Sequence, residues 1–177
     1  MASRALPLCC ALLVAACART TLQSSVADVH GGTKPTEEMD FWDGLAVQPA
    51  VSNRDAIHAL MLSFVRRARA EQVDWQIEIK DAERRGWISA GDAVKANETA
   101  RVGMVARVVC MEANIRGGAT MRVLGPVERY AVKELNFQGW LRDMTPGQSI
   151  SGAELIAVLS KAEDQRKGAG TGPKEDM

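Results

Sequence analysis

The chain has 177 residues, of which 46% are hydrophobic and 25% charged, and its 22 lysines and arginines balance 22 aspartates and glutamates. This length suits one compact domain with flexible ends and leaves little room for a second full domain. The balanced charge excludes an overall basic field of the kind that attracts nucleic acid or anionic lipid.

The first 17 residues predict where the protein is delivered. Arg4 supplies a positive start, residues 5–16 are apolar or small, and Val14-Ala15-Ala16 precedes Cys17. Because the apolar run is too short to span a bilayer as a helix, it predicts a signal peptide over residues 1–16. Small residues just before a cysteine resemble the lipobox of bacterial lipoproteins, which implies that Cys17 is acylated and becomes the mature N-terminus. An ordinary secretory signal and a buried apolar helix are the alternatives.

The same resemblance predicts a location in the cell envelope. Ala18, instead of an aspartate, follows the acylated position, and in a Gram-negative organism this favours the outer membrane. The membrane contact is then the N-terminal lipid. Because Cys9 and Cys10 leave with the signal peptide, Cys110 is the one further cysteine of the mature chain, and no internal disulfide is expected.

Polar segments flank the predicted domain. Residues 17–39 are rich in Thr, Ser, Gly and Glu without an apolar period, which predicts a flexible tether from Cys17. Residues 165–177 are also polar and glycine-broken, which predicts a disordered tail. The chain between them, residues 40–164, is predicted to form the folded domain.

Apolar periodicity and capping residues predict five helices in that domain. Ser52-x-x-Asp55 and Ser151-x-x-Glu154 have the spacing of a capping box and open the first and the last helix. A short aromatic lead-in, Phe41-Trp42, precedes the first. The predicted helices cover residues 52–65, 73–85, 99–113 and 127–137, followed by a last helix from residue 151.

A repeat links these helices. Gly86-Trp87-Ile88 and Gly139-Trp140-Leu141 each follow a predicted helix and lie 53 residues apart. The same shift superimposes apolar stripes on both sides, which predicts helix–loop–helix units over 72–116 and 126–164 after a partial unit over 40–70. We interpret the repeated tryptophans as core plugs behind glycine caps, with a sugar-stacking surface as the alternative.

The segment between the last two units is different in character. Gly117-Gly118 predicts a turn, and residues 119–124 mix β-branched and long side chains. This mixture predicts an extended crossover that could hold one short strand. The expected fold class is therefore all-α, with tandem helix–loop–helix repeats packed as one small domain.

Few residues suggest chemistry. Arg116, Arg122 and Arg129 surround the crossover and are candidate ligands for a carboxylate or phosphate, with solvent-exposed scatter as the alternative. Cys110 lies beside apolar residues, which indicates a buried thiol rather than a nucleophile or redox sensor. With two histidines in the chain, no metal site is expected, and no cofactor or catalytic constellation is predicted.

The repeated order of helix, Gly-aromatic-aliphatic turn, polar loop, Ser-x-x-acid and second helix resembles S-layer homology modules. The resemblance covers residues 41–164, most clearly 130–163. It implies stacked helical pairs and attachment to polymers of the bacterial cell wall. A Thr-Arg-Ala-Glu signature opens the second helix in that family, whereas here Gly152 and Asn53 take the arginine position and Arg54 lies one residue later.

These observations lead to three hypotheses about function. The first is a lipid-anchored, non-enzymatic structural or adaptor module of the cell envelope, with an envelope protein as its partner. The second is an anchor that binds a cell-wall polymer, with Arg54 and the crossover arginines as candidate ligands. The third is an enzyme or enzyme subunit with an unrecognised site. No nucleic-acid partner is expected.

Overall fold

A computed structural model describes residues 20–31, 35–65, 74–89 and 94–170. Helices dominate these ranges, and β-type pairing within them is limited to three isolated β-bridges, so the predicted all-α fold is confirmed. Within the same ranges, no helix is long and apolar enough to span a bilayer. The predicted signal peptide and Cys17 lie outside the described residues. The helices are α1 (Ala27–His30), α2 (Pro35–Ala46), α3 (Asn53–Val65), α4 (Trp75–Arg84), α5 (Val102–Glu112), α6 (Ala119–Leu124), α7 (Glu128–Phe137) and α8 (Gly152–Gly170).

Six of these helices form three helix–loop–helix units, namely α2 with α3, α4 with α5, and α7 with α8. Helix α5 packs on α7, α3 packs on α4, and both α3 and α5 contact α8. The first unit is therefore complete, where the sequence predicts a truncated one. The second helix of every unit contributes aliphatic side chains to one shared core, which includes Ile57, Leu60, Val105, Val109, Leu155 and Val158.

A closed ring of backbone hydrogen bonds joins the three units. Val51 donates its N–H to the Ile150 carbonyl at 2.9 Å, Ile150 donates to Ala100 at 3.4 Å, and Ala100 donates to Val51 at 2.8 Å. Each of these residues lies two positions before α8, α5 or α3 and is fully buried. The three second helices thus start from one point, in an approximate threefold arrangement.

The sequence repeat is reproduced in the turns but is displaced in the second helices. Gly86 and Gly139 have φ values of +71° and +69°, and the following Trp87 and Trp140 donate their N–H groups to Ala82 and Leu135 at 2.9 and 2.8 Å. These equivalent positions are 53 residues apart. The ring instead pairs Ala100 with Ile150, so the loop of the second unit is three residues longer than that of the third.

The N-terminal segment packs against the domain, where the sequence predicts a flexible tether over residues 17–39. Leu22 donates its N–H to the Asn97 carbonyl at 2.8 Å, and Thr99 donates to the Thr20 carbonyl at 3.1 Å. Helices α1 and α2 follow and both contribute buried side chains. The attachment uses backbone groups and polar side chains such as those of Ser25 and Asp28, which leave no apolar period in the sequence. The prediction of a flexible tether was wrong over the described part of this segment for this reason.

Two further predictions differ from the structure. Residues 119–124 form helix α6 rather than a strand, with Met121 as its buried residue. Gly125 ends this helix with φ +76°, a conformation that glycine adopts without strain. At the other end of the domain, α8 continues to Gly170 and so occupies the first part of the tail predicted over 165–177; residues 171–177 lie outside the described ranges.

Candidate functional site

The four arginines predicted as ligand candidates lie in two places. Arg54 follows the first residue of α3, and its guanidinium pairs with Asp28 Oδ1 at 2.8 Å. Arg116, Arg122 and Arg129 are exposed around α6. Arg54 therefore links α3 to α1, and the crossover arginines are the stronger candidates for binding a ligand.

A cavity of about 500 Å³ opens beside α6. Arg116 and Arg122 both line it, together with Asn114, whereas Arg129 lies outside its lining. The remaining lining is apolar or weakly polar and consists of Cys110, Met111, Ile115, Met121 and Pro126. The structure thus brings two of the three predicted arginines to the edge of one amphipathic cavity, which suits an anionic group attached to an apolar body.

The carboxylates nearest to these arginines are engaged elsewhere. Glu112 accepts a hydrogen bond from Trp87 Nε1 at 2.8 Å, and Glu128 pairs with Arg101 at 3.3 Å. Glu134 accepts from the Gly118 N–H at 3.2 Å and from a glutamine side chain at 2.8 Å. These are the carboxylates of α5 and α7. Arg116, Arg122 and Arg129 accordingly have no ion pair with any part of the described chain.

Cys110 lines this cavity and does not have the character of a nucleophile. Its side chain is buried, and burial, followed by the charge of Glu134, raises the pKa of the thiol from 9.0 to about 12. The thiolate is the reactive form of cysteine. The neutral thiol therefore contributes apolar surface to the cavity, as the sequence predicts.

The two repeated tryptophans have different surroundings. Trp87 is 1% exposed and is a core residue, as predicted. Trp140 is only half-buried and stands between two cavities of about 290 and 700 Å³, both also lined by Lys161. Arg142 and Glu154 contribute charge to the smaller cavity. The surface around Trp140, here called the Trp140 groove, therefore retains the features expected of a sugar-stacking site.

A buried polar cluster lies where the N-terminal segment meets α3. Both predicted serine caps form, because Ser52 Oγ accepts the Asp55 N–H at 3.0 Å and Ser151 Oγ accepts the Glu154 N–H at 3.3 Å. At α8 the Ser151 N–H also donates to Glu154 Oε2 at 2.9 Å and completes the box, whereas at α3 Asp55 Oδ2 accepts from Ser52 Oγ at 2.7 Å. Asp55 also accepts from Ser25 Oγ at 2.6 Å and from the N–H of residue 27 at 2.8 Å. The sequence pattern predicts the local bonds, but it does not reveal the partners contributed by a segment about 30 residues earlier.

His58 and Glu78 form a second buried polar contact that the sequence does not indicate. His58 Nδ1 lies 2.6 Å from Glu78 Oε1, and the side chains are 2% and 4% exposed. His58 Nε2 and Glu78 Oε2 have no hydrogen-bond partner among the residues that the structure describes, and the ring of Phe41 packs edge-on against the imidazole. The pair joins α3 to α4. Within the described ranges, no group of three side chains could hold a metal ion.

No family model matches the chain, and neither does any curated protein or solved structure. The resemblance to S-layer homology modules and the lipobox-like N-terminus therefore remain predictions.

Proposed function

We propose that the protein is a lipid-anchored, non-enzymatic module of the cell envelope that acts as a structural or adaptor scaffold. The lipobox-like sequence before Cys17 carries this proposal, and the attachment of Thr20 to Thr99 gives it a geometric consequence. Cys17 precedes Thr20 by three residues, and three residues reach no more than about 11 Å in any conformation. An acyl anchor at Cys17 therefore holds the domain next to the bilayer in a restricted orientation. In a Gram-negative organism, Ala18 after the acylated position favours the outer membrane as this bilayer.

The ring at Val51, Ala100 and Ile150 supports the scaffold part of the proposal. Its hydrogen bonds join backbone groups, so the three units are held together independently of the side chains on their outer surfaces. Those outer surfaces are then free to recognise an envelope protein by shape and charge.

The anchoring step is tested by expressing the full chain and C17S in a bacterial host, followed by detergent phase partitioning and mass analysis of the N-terminal peptide. We expect the wild-type protein in the detergent phase, with acyl chains on Cys17, and C17S without acyl chains. C110S is the matched control and should be acylated like the wild type. An unmodified Cys17 in the mature wild-type protein would contradict the proposal.

The Trp140 groove favours a second candidate function, the binding of a cell-wall polymer. A half-buried tryptophan face suits stacking against a sugar ring, and Arg142, Glu154 and Lys161 place charged groups of both signs beside it. The test is co-sedimentation of the mature protein with purified cell-wall sacculi, with and without their attached polymers. Saturable, polymer-dependent binding that is lost in W140L and kept in W42L supports this function. Equal sedimentation with stripped sacculi refutes it.

A further inference from the structure

We propose that the face formed by Arg116, Arg122, Val123, Leu124, Val127 and Arg129 binds the anionic headgroups of a lipid bilayer. This crossover face adds a direct protein–lipid contact to the proposed attachment through Cys17. Its apolar side chains enter the headgroup layer, and its arginines pair with lipid phosphates.

The aliphatic part of the crossover face is exposed to solvent. Val123 is 82% exposed, Leu124 is 58% exposed and Val127 is 49% exposed, and they follow one another closely around the turn that ends α6. Moving such side chains out of water is favourable in proportion to the apolar area that they bury. A short helix with exposed aliphatic side chains beside arginines has the composition of an interfacial membrane contact.

The local charge complements an anionic surface even though the whole chain is neutral. Residues 113–127 contain two arginines and no acidic residue. On the flanking helices, Glu128 pairs with Arg101, while Glu112 and Glu134 accept hydrogen bonds from neutral donors and keep their charge. The balanced composition excludes an overall basic field, but it does not describe this face. Each arginine close to an anionic membrane strengthens binding, and salt weakens that contribution.

The cavity behind α6 favours a lipid over a soluble anion. Arg116 and Arg122 lie at its polar side, while Met111, Ile115 and Met121 supply apolar lining. A glycerolipid phosphate matches both the polar and the apolar side of this cavity, because the guanidinium groups bind the phosphate and the apolar lining contacts the attached hydrocarbon. Inorganic phosphate would pair with the arginines but would leave the apolar lining without a contact.

The fold also connects the crossover face to the N-terminal attachment. Thr20 is bonded to Thr99, and two residues later Arg101 pairs with Glu128, which directly follows Val127. This path of contacts runs from the N-terminal attachment to the end of the crossover face. This step rests on the proposed anchoring at Cys17, whereas the arguments from charge, exposure and cavity do not.

Amide hydrogen exchange of the mature, acylated protein on vesicles tests the proposal. We compare vesicles of phosphatidylcholine alone with equimolar phosphatidylglycerol and phosphatidylcholine. Exchange in residues 119–127 should slow on the anionic vesicles only, and raised salt should reverse the effect. The protection should be lost in R116Q/R122Q and reduced in V123S. It should persist in K80Q, which neutralises an exposed lysine on α4, and in V47S, whose valine is 78% exposed.

A second arm separates this proposal from acylation at Cys17. The chain 18–177 keeps every described residue and the whole packed core, but it has no acylation site. We expect it to bind the anionic vesicles, with R122Q lowering its affinity about fivefold and K80Q leaving it unchanged. Binding by this chain supports the crossover face even if Cys17 proves to be unmodified.

Three results would overturn the proposal. The first is unchanged exchange in residues 119–127 when the acylated protein sits on anionic vesicles. The second is equal protection by inorganic phosphate without vesicles, which would indicate a site for soluble anions. The third is protection that rises with protein concentration without lipid, which would indicate contact with a second copy of the chain.

Discussion

Replacing Asp55 by alanine should destabilise the domain far more than the same change at the equivalent capping residue, Glu154. The Asp55 carboxylate is buried and accepts hydrogen bonds from Ser25 Oγ, Ser52 Oγ and the N–H of residue 27. D55A leaves these donors without their acceptor. Because each unsatisfied buried donor costs about 1–3 kcal/mol and hydroxyls can partly reorient, we expect a loss of about 3–5 kcal/mol of unfolding free energy.

E154A supplies the matched comparison. Glu154 is only half-buried, and within the described residues its hydrogen bonds are all with Ser151, inside the local capping box. We therefore expect the loss of an ordinary helix cap, about 1 kcal/mol. Urea unfolding of the wild type and both variants measures the difference. Amide exchange should also accelerate in α1 of D55A but not of E154A. Equal losses of stability, or unchanged exchange in α1, would refute the role assigned to Asp55 in holding the N-terminal segment.

Three further predictions follow from the packing. A Cβ on Gly152 would stand 1.6 Å from the Leu45 carbonyl oxygen, whereas a Cβ on Gly147 would meet nothing within 4 Å. G152A should therefore abolish or severely weaken cooperative thermal unfolding, and G147A should unfold like the wild type. A normal unfolding transition of G152A would contradict this packing. At pH 8, alkylation of Cys110 should be about 10³-fold slower in the native than in the unfolded protein, because a pKa raised from 9.0 to about 12 suppresses the thiolate. The raised pKa of Cys110 also stabilises the folded state below pH 9, and this contribution is lost as the pH rises towards 12. Comparable alkylation rates in the native and the unfolded protein, measured on the peptide that contains Cys110, would contradict the raised pKa. Finally, W87A should lose about 3–5 kcal/mol in urea unfolding and W140A clearly less, since only Trp87 is fully buried; a reversed order would show that the two environments are misassigned.

Local sequence patterns predicted the parts of the fold that depend on neighbouring residues. The Ser52 and Ser151 caps form, and Gly86 and Gly139 adopt the positive φ values that end their helices. In each case a few adjacent residues determine the geometry. The all-α class followed from such patterns because the apolar stripes of α3 and α8 were also visible in the sequence.

Contacts between distant segments could not be predicted in the same way. The bond between His58 and Glu78 joins residues 20 positions apart without any periodic signal. The ring at Val51 depends on backbone groups, which every sequence possesses. Gly152 stands where the resemblance expects an arginine, and the close approach of the Leu45 carbonyl supplies its physical reason.

The candidate site shows the same division. The clustering of Arg116 and Arg122 around a glycine turn was predicted from the sequence, and both line one cavity. Their lack of ion pairs was not predictable, because it depends on where three carboxylates of the flanking helices find their partners. The exposure of Val123 was also hidden, since residues 119–124 lack the length from which helical periodicity can be recognised.

The anchoring of the domain at a membrane is the central claim, and the mass of the mature N-terminal peptide tests it most directly. The protein is isolated from the membrane fraction of a bacterial host and cleaved, and the first peptide is identified. The account predicts that this peptide begins at Cys17 and carries covalent acyl chains. A mature N-terminus at another residue, or a Cys17 without acyl chains, would contradict it.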